Sequence, residues 1–356
     1  MNSSSVWIRI IRLLLFPFAV LYGIVVKLRN YLYNKDIIKS ATFNFPVICI
    51  GNLTVGGTGK SPMVEYILRN FSNRYKIATL SRGYKRKTRG YALANEKTTA
   101  IDIGDEPMQF HTKFPGVYVA VGEERATAIP LLLFEKPDTD VIILDDAMQH
   151  RQVNAGLTIM LTDRNNLFTK DYFLPTGDLR DARMSYRRAN ILVVTKCTPD
   201  MQEDERKTLT KEIKPLTSQH LFFASIKYGV PYHILDRSQR TISKNSAVLL
   251  VCGIAKPKQL TRYVENISAR TEVMYYRDHY IFWIDDLKKI IQRFEKMEGE
   301  NKMILVTEKD AVRLLKFHEH LANLPVYVLP IETDFLFNQG NEFNTLIENF
   351  INEFKN

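Results

Sequence analysis

Short apolar runs alternate with helical patterns along most of this chain. Apolar runs of four to six residues begin at positions 47, 77, 117, 141, 157, 191 and 221. Several of them end at Gly, Asp or Thr, which is typical of buried parallel strands. After Pro62, one predicted helix face carries Val64, Ile67, Leu68 and Phe71. This alternation predicts an α/β fold built on a doubly wound parallel sheet.

The same alternation starts again near residue 247 and predicts a second, smaller α/β lobe. Its strand-like runs are 248–252, 272–276, 303–307 and 326–330. Helical patterns separate most of these runs, and a last one covers 343–354. The predicted organisation is an N-terminal helical segment (1–40), a first lobe (41–228), a connector (229–246) and the second lobe (247–356).

Composition places the chain among ordinary globular proteins. Of its 356 residues, 45% are hydrophobic and 25% are charged, which excludes a disordered tail, a fibrous repeat and a small disulfide-stapled scaffold. Cys49, Cys197 and Cys252 lie inside or at the end of apolar runs and have no Cys-x-x-Cys spacing. We therefore expect buried thiols in a reducing compartment and no structural zinc site.

Positive charge is concentrated in two windows. The formal net charge is +10, of which residues 1–40 contribute +5 and residues 74–95 contribute +7. The densest run of the second window is Lys85, Arg86, Lys87 and Arg89. Two basic patches indicate an anionic partner, either phospholipid head groups or a phosphorylated substrate. Nucleic acid is not expected, because the chain has no zinc-finger spacing, RNA-recognition signature or long Arg-rich tail.

The first window surrounds an apolar stretch. Fourteen uncharged residues separate Arg12 from Lys27, with Trp7 and Tyr22 among the nearby aromatic residues. A bilayer span needs about 20 apolar residues, and no small-residue cleavage site follows, which disfavours a removed signal peptide. Basic flanks and interfacial aromatic residues, with Arg9 inside the segment, favour a helix that anchors the protein at the cytoplasmic leaflet of a membrane. The alternative is a helix hairpin packed into the protein core.

The strongest local motif is a glycine-rich turn at 46–62, PVICIGNLTVGGTGKSP. It follows a predicted buried strand and precedes an amphipathic helix, which is the context that a phosphate-binding P-loop requires. In such a loop Lys60 would contact the β- and γ-phosphates and Ser61 would ligate Mg²⁺. Thr54 stands where the strict motif has glycine. The predicted nucleotide-binding residues are Thr54, Val55, Gly56, Gly57, Thr58, Gly59, Lys60 and Ser61.

Two adjacent carboxylates, Asp145 and Asp146, end the apolar run that begins at Val141. An isolated Asp at a strand end is commonly a turn former or a helix cap. A P-loop, however, needs an acidic residue at the end of a neighbouring strand to hold its metal directly or through water. Because a P-loop precedes this strand, we interpret the pair as metal-binding, with Asp145 as the first candidate.

Several charged clusters follow the strand-like runs. They are SRGYKR (81–86), GDEP (104–107), GEER (122–125), DDAMQH (145–150), LPTGDLRD (174–181), RDHY (277–280) and TEKDAVR (307–313). In this order, and together with the N-terminal segment and GNLTVGGTGKSP, they resemble the tetraacyldisaccharide 4'-kinase family, the lipid A kinases of Gram-negative bacteria. The resemblance covers most of the chain. It implies ATP-dependent phosphorylation of the 4'-hydroxyl of a tetraacyl glucosamine disaccharide 1-phosphate at the cytoplasmic face of the inner membrane.

The resemblance implies a P-loop kinase domain over 41–228 and a role for individual residues in it. The residues that it implies for the metal site are Ser61, Asp145, Asp146, Gln149 and Asp181, and His150 lines the same cleft. Three residues depart from the family pattern: Met148 replaces an aromatic residue, Asp181 replaces Glu, and Ser61 replaces Thr. Asp181 is one methylene shorter than Glu, which shortens its reach toward metal or substrate.

The resemblance also implies a catalytic group. Asp105 matches the catalytic carboxylate of the family and His279 its partner, while Arg125 and Arg180, with Lys60, match clamps for phosphate or the transition state. Phosphoryl transfer needs charge neutralisation, alignment and a group that accepts the hydroxyl proton, and a carboxylate oriented by a histidine suits the last task. We therefore expect the acceptor site in the cleft between the two lobes, where closure would exclude water.

Two other functions remain open at this point. The first is a membrane-associated P-loop GTPase switch, which would need an Asn-Lys-x-Asp sequence after a strand, whereas residues 193–197 offer Thr195-Lys196 without the Asn or the Asp. The second is a soluble sugar or cofactor kinase whose N-terminal helix belongs to the core. For the lipid kinase we expect a monomer with ATP and Mg²⁺ as cofactors and the lipid A precursor and an anionic membrane surface as partners.

Overall fold

The apolar runs form the strands of two large sheets in this computed structural model, which describes residues 14–255 and 257–354. Most runs consist of β-branched and aliphatic residues, which pack well on both faces of a buried sheet. The strands of the described residues are β1 (Ala41–Thr42), β2 (Val47–Asn52), β3 (Ile77–Ser81), β4 (Ala92–Leu93), β5 (Tyr118–Val121), β6 (Val141–Asp145), β7 (Val153–Asn154), β8 (Leu157–Asp163), β9 (Ile191–Cys197), β10 (His220–Tyr228), β11 (Tyr232–His233), β12 (Ala247–Cys252), β13 (Arg270–Tyr275), β14 (Met303–Thr307), β15 (Val326–Leu329) and β16 (Ile331–Phe335).

Helices occupy many of the connections between strands and cover the faces of the sheets. They are α1 (Phe16–Asn34), α2 (Lys60–Phe71), α3 (Ala100–Ile103), α4 (Asp105–Lys113), α5 (Arg125–Glu135), α6 (Glu203–Ile213), α7 (Lys258–Ile267), α8 (Ile284–Lys296), α9 (Glu308–Leu314), α10 (His318–Leu321) and α11 (Gly340–Asn352). Short 3₁₀ helices cover Arg183–Arg188 and Leu315–Phe317.

The first sheet has the strand order β16-β10-β9-β8-β2-β6-β3-β5-β4. At its centre Ile48 of β2 lies opposite Ile143 of β6 on one side and Leu157 of β8 on the other, and both pairings are parallel. The edge pairs β4–β5 and β10–β16 are antiparallel. The predicted face of α2 packs fully buried against this sheet. The predicted α/β class, with mixed and largely parallel sheets, is confirmed.

The second sheet has the order β11-β15-β14-β12-β13. Its parallel strands β12, β13, β14 and β15 are built from the apolar runs that follow residue 247. Strand β11 comes from the segment predicted as a connector, since Tyr232 pairs antiparallel with Val328. The connector therefore contributes an edge strand to the second sheet.

The described residues from 331 onward pack on the first lobe, so the predicted lobe boundary 247–356 is wrong at its C-terminal end. Strand β16 pairs antiparallel with β10 of the first sheet, with Phe335 opposite Ala224. Phe335, Phe343 and Ile347 then join the core of the first lobe, where the rings of Phe222 and Phe343 lie 5.5 Å apart. Strand and helix patterns are local and do not specify which sheet a strand joins, because that choice depends on apolar partners far away in sequence.

Helix α1 packs on the first lobe through a narrow stripe of buried residues, Ala19, Gly23, Val26 and Asn30. A Cβ at Gly23 would lie 2.7 Å from Cδ2 of Phe173, so this close approach requires glycine. The Tyr22 hydroxyl donates to the Arg180 carbonyl at 3.0 Å. The helix is thus fixed to the loop that follows β8 by one of its faces.

The opposite faces of α1 are apolar and exposed. The large side chains on them are Phe16, Phe18, Val20, Leu21, Ile24, Val25 and Leu28. Within the two described ranges, no helix combines the length and the apolar character that a membrane crossing demands. Trp7, Arg9 and Arg12, which the predicted anchor includes, lie outside the described residues.

Candidate active site

The predicted P-loop connects the end of β2 to the start of α2. Gly56 and Gly59 have φ values of +102° and +87°, a region that L side chains rarely adopt, so this turn needs both glycines. No side chain among the described residues caps the N-terminus of α2, and the buried Thr58 hydroxyl has no hydrogen-bond partner within the same residues. A helix N-terminus that follows a glycine-rich turn suits an anionic group, because both present backbone N–H groups.

Lys60 and Arg180 converge on Asp146. Arg180 Nη2 lies 2.6 Å from Asp146 Oδ1, and Lys60 Nζ lies 3.6 Å from the same oxygen. Burial opposes ionisation of Asp146, but the two cations outweigh it and hold the pKa of the carboxyl below its usual range. Asp146 is therefore ionised and lies among cations that a nucleotide phosphate would also attract.

Asp145 ends β6 beside this ion pair and is 6% exposed. Burial, with the charge of Asp146 adding to it, raises the pKa of Asp145 to about 7. Its Oδ1 atom is buried without a hydrogen-bond partner within the described residues. An orphaned carboxylate oxygen beside a second carboxylate fits a hard divalent cation such as Mg²⁺, which prefers oxygen ligands.

Asn52, the last residue of β2, organises the loop and was not singled out from the sequence. Its Oδ1 accepts from Arg180 Nη2 at 2.6 Å and from Lys60 Nζ at 3.3 Å, while its Nδ2 donates to the Thr54 carbonyl at 2.7 Å. Gln149 Nε2 donates to the Asn52 carbonyl at 2.5 Å. The sequence feature that could have identified Asn52 is a polar residue at the end of a buried apolar strand, where the following loop has backbone groups that need hydrogen-bond partners.

Arg125 begins α5 and is 1% exposed. Its Nη1 donates to the Gly122 carbonyl, whereas Nε and Nη2 have no partner within the described residues. Burial lowers the pKa of Arg125 to about 10, so the group stays charged at neutral pH. Burial together with the charges of Arg125 and Arg82 lowers the pKa of His150 to about 4, which makes that imidazole neutral. The charged Arg125 guanidinium therefore has buried N–H groups that remain available as hydrogen-bond donors.

Asp105 and His279 lie together between the lobes. Asp105 begins α4 of the first lobe, and its Oδ2 lies 3.0 Å from Nδ1 of His279 in the second lobe. Arg313 of α9 donates to the same Oδ2 from Nε at 2.9 Å and from Nη2 at 2.7 Å. Burial opposes ionisation of Asp105, but the hydrogen bonds from His279 and Arg313 outweigh it and lower the pKa of this carboxyl. Arg313 lies in the TEKDAVR cluster but had no individual role predicted.

Further ion pairs join α4 to α9. Lys309 Nζ lies 2.5 Å from Glu106 Oε1, and Lys113 pairs with both Glu308 of α9 and Glu65 of α2. Burial and the charge of Glu308 raise the pKa of Glu65 to about 7, against the opposing effect of Lys113. The charge of Glu106 raises the pKa of Asp145 and the charge of Lys309 lowers it. The ion pair between α4 and α9 is therefore within electrostatic range of Asp145.

Asp181 does not face the metal site, so that prediction is wrong. It is fully buried, and its Oδ1 accepts from Asn30 Nδ2 at 2.7 Å, from Ser185 Oγ at 2.9 Å and from its neighbour's backbone N–H. Its Oδ2 accepts from Arg188 Nη2 at 2.6 Å. Both oxygens are thus occupied, Oδ1 in part by Asn30 of α1 and Oδ2 by Arg188. A local sequence pattern cannot predict the contact with Asn30, because the two residues are 151 positions apart.

Arg86, which was predicted to belong to the exposed basic patch, is instead buried in an ion pair. Its side chain is 2% exposed and lies 2.7 Å from Glu123. Arg82, Lys85, Lys87 and Arg89 remain exposed. The ion pair with Glu123 also explains the GEER cluster in part, because Glu123 accepts from the Gly90 backbone as well.

A glycine-rich turn between a central parallel strand and a helix, with an acid pair ending the adjacent strand, defines an α/β protein with a candidate phosphate-binding loop. The profile of the family described as Tetraacyldisaccharide-1-P 4'-kinase matches residues 11–352. The chain belongs to this family, which confirms the resemblance drawn from the motifs.

Individual relatives agree with that membership. The chain is 44% identical over 345 residues to the Tetraacyldisaccharide 4'-kinase of Flavobacterium johnsoniae, covering 97% of this chain and 98% of the relative. It is 41% identical over 354 residues to that of Bacteroides thetaiotaomicron, covering 95% and 93%. The crystal structure of an "apo" form of LpxK from Aquifex aeolicus in complex with ATP aligns with a TM-score of 0.75 and 28% identity, covering 96% of this chain and 99% of that one.

Proposed function

We propose that this protein transfers the γ-phosphoryl group of ATP to the 4'-hydroxyl of a tetraacyl glucosamine disaccharide 1-phosphate. The observation that carries the proposal is the contact between Asp105 and His279, which belong to different lobes and lie beside Glu106, whose charge acts on the P-loop acid Asp145. One lobe would hold the phosphoryl donor and the cleft between the lobes would hold the acceptor. The family to which the chain belongs supports the same reaction.

The nucleotide would bind through the P-loop residues 54–61. Backbone N–H groups of the glycine turn and the N-terminus of α2 would bind phosphate oxygens, and Lys60 would exchange its long 3.6 Å contact with Asp146 for a phosphate. Arg180, which contacts the same oxygen of Asp146, would bind the same phosphates. Arg125 would donate from its two unpartnered nitrogens, Nε and Nη2, to the charge that develops in the transition state.

Ser61, Asp145 and Asp146 would hold Mg²⁺, with Gln149 beside them. The unpartnered Oδ1 of Asp145 is the observation that supports this set. When bound there, the ion would neutralise phosphate charge and align the β- and γ-oxygens. Ionisation of Asp145, whose pKa burial raises to about 7, would become favourable beside a divalent cation.

Asp105 would accept the proton of the attacking hydroxyl. Arg313 and His279 fix its Oδ2 atom, which leaves the other carboxylate oxygen to face the acceptor. A carboxylate held by a guanidinium is a weak base, but a loose phosphoryl-transfer transition state demands little proton removal before the bond to phosphorus forms. Positioning of the hydroxyl is then the main contribution of the pair.

The protein would act at the cytoplasmic face of the inner membrane. The exposed apolar faces of α1 (Leu21, Ile24 and Leu28 among them) would lie in the interfacial region, as amphipathic anchors do. The exposed cations Arg82, Lys85, Lys87 and Arg89 would meet anionic head groups or the substrate phosphate. Such an arrangement would hold the cleft at the level of a lipid head group.

Transfer of radiolabelled γ-phosphate from ATP to a tetraacyldisaccharide 1-phosphate tests this function, with free glucosamine as the acceptor control. We expect a labelled lipid product with ATP, none with glucosamine, and a rate reduced by orders of magnitude in Lys60→Ala. Labelled glucosamine at a comparable rate would favour a soluble sugar kinase. Preference for GTP with release of free phosphate and no labelled lipid would favour a GTPase switch and overturn the proposal.

A further inference from the structure

We propose that Thr195 and Lys196 are positioning residues that hold the P-loop in its phosphate-binding conformation, an inference that rests on the proposed nucleotide site. Both residues belong to the end of β9. They form the part of the chain that resembles an incomplete guanine-reading sequence, and the kinase reaction gives them no role.

Two consecutive carbonyls of the P-loop are held by these two consecutive residues. Lys196 Nζ donates to the Gly57 carbonyl and also lies 2.8 Å from Asp163 Oδ2. Thr195 Oγ1 lies 2.8 Å from the Thr58 carbonyl, nearer than its 3.2 Å distance to the Thr162 carbonyl. The end of β9 therefore reaches the outer side of the loop with one ammonium and one hydroxyl.

The orientation of a carbonyl determines that of the next N–H group, because a peptide unit is planar and its C=O and N–H point in opposite directions. When Thr195 holds the Thr58 carbonyl outward, the N–H of Gly59 is turned to the concave side of the loop. A row of N–H groups on a concave side is what binds phosphate oxygens. Thr195 thus acts on the nucleotide through the Gly59 N–H. The N–H after the Gly57 carbonyl, that of Thr58, donates to the Gly56 carbonyl at 3.1 Å, so Lys196 acts by holding this turn of the loop.

The start of the loop is held by Asn52 Nδ2 at the Thr54 carbonyl and by the Val55 N–H at the Asp178 carbonyl, both 2.7 Å, whereas its crest is open. A Cβ at Gly56 or Gly57 would meet nothing within 4 Å, so side-chain packing does not restrain these residues. A Cβ at Gly59, by contrast, would lie 3.7 Å from Cβ and Cγ2 of Thr195. The polar contacts from β9 therefore restrain the Gly57 and Thr58 carbonyls, beyond the part of the loop that Asn52 and Asp178 hold.

Lys196 adopts φ of +58°, a left-handed conformation that is unfavourable for a residue with a side chain. Its ion pair with Asp163 and its bond to the loop are compatible with this conformation, in which the side chain is 14% exposed. Asp163 neutralises the ammonium, so Lys196 does not compete with Lys60 for the phosphates. Lys196 therefore contacts the loop backbone and Asp163 and is not assigned to the nucleotide.

The test compares binding of ATP and of adenosine by Lys196→Met and Thr195→Val, measured by calorimetry together with KM for each substrate. We expect the dissociation constant and the KM for ATP to rise about tenfold in either variant, as loss of a hydrogen bond at a phosphate site implies. Adenosine affinity and the KM for the lipid should stay within about twofold, because neither depends on the loop amides. Thr195→Ser, which keeps the hydroxyl, should restore ATP binding.

Matched controls are Lys207→Met and Thr208→Val, which alter exposed residues of α6. Should Lys196→Met fail to fold, the pair Thr195→Val and Thr195→Ser decides alone. Unchanged ATP affinity in folded Thr195→Val and Lys196→Met, or an equal loss of adenosine and ATP binding, would overturn the inference. A protein that binds ATP as expected but labels no lipid would instead contradict the proposed function and leave the inference intact.

Discussion

Asp105 and His279, which are 174 residues apart in sequence, form a contact of 3.0 Å between the two lobes. Asp105 begins α4 of the first lobe and His279 lies in the loop between β13 and α8 of the second, so the pair exists only when the lobes hold their present relative position. Arg313, also from the second lobe, binds the same carboxylate oxygen. The hydrogen bonds of the Asp105 carboxylate therefore depend on how closely the two lobes approach each other.

If Asp105 and His279 act as one unit, their losses should not multiply. We expect Asp105→Ala and His279→Ala each to lower kcat by about 10²- to 10⁴-fold, with the double variant little worse than the poorer single one. Direct measurement of ATP binding should show a far smaller effect, because the pair lies on the acceptor side. A double variant whose loss equals the product of the two single losses would show that the residues work separately.

Asp145→Asn should remove metal-dependent activity and stabilise the protein at high pH. The folded pKa of Asp145 is raised by burial from 3.8 to about 7, so between these pH values the folded protein holds a proton that the unfolded chain has released. Its contribution to stability therefore falls as pH rises through that range and is lost above about pH 7. Thermal unfolding without Mg²⁺ at pH 8 should show a Tm higher by roughly 2–5 °C in the variant.

The control for that experiment is the same pair at pH 4, where wild type and variant should unfold at similar temperatures because the wild-type group is protonated. Retention of Mg²⁺ dependence and rate in Asp145→Asn would contradict its place in the metal site. A lower Tm of Asp145→Asn than of wild type at pH 8 would contradict a buried Asp145 carboxyl with a raised pKa.

Lys113 should be needed for stability because it neutralises two carboxylates at once. Glu65 and Glu308 have side chains that are 1% and 5% exposed, and Lys113 pairs with both. Lys113→Met leaves two buried acids without their cation, which should cost about 3–5 kcal/mol in urea unfolding at pH 8. The exposed Lys97→Met is the control.

The pH dependence of this cluster has a defined sign. The pKa of Glu65 is raised by burial and by Glu308 from 4.5 to about 7, so its contribution to stability is present below pH 4.5 and is lost as pH rises to about 7. Glu65→Gln should flatten the fall in unfolding free energy over that range. An unchanged slope would show that Glu65 does not carry it.

The exposed cations of the second basic window should act on membrane capture rather than on chemistry. Changing Lys85, Lys87 and Arg89 together to Gln should weaken binding to anionic vesicles about 10- to 100-fold, at about 1 kcal/mol per charge near the surface, and raise the KM for the lipid with kcat nearly intact. Vesicle flotation at low and high salt measures this, since screening should reduce the difference. The pair Lys207→Gln and Lys211→Gln on α6 is the control. Equal flotation of variant and wild type at low salt would contradict the role.

The sequence alone determined the elements and the phosphate loop. Apolar runs such as 47–52 and 303–307 form strands because hydrophobic periodicity acts over a few residues. The P-loop was readable for the same reason, since its glycines and Lys60 are adjacent and their conformations are local. The assignment of Asp105 and His279 depended on family resemblance, because neither a lone Asp nor a lone His specifies a partner.

Tertiary structure decided which elements and charges come together. It placed β16 in the first sheet, turned Asp181 toward Asn30, paired Arg86 with Glu123, and brought Asn52 and Arg313 into the site. None of these could be read locally, because each depends on which distant groups share a buried volume. A buried charge must find its partner wherever the chain brings one, and that place is set by the packing of the whole molecule.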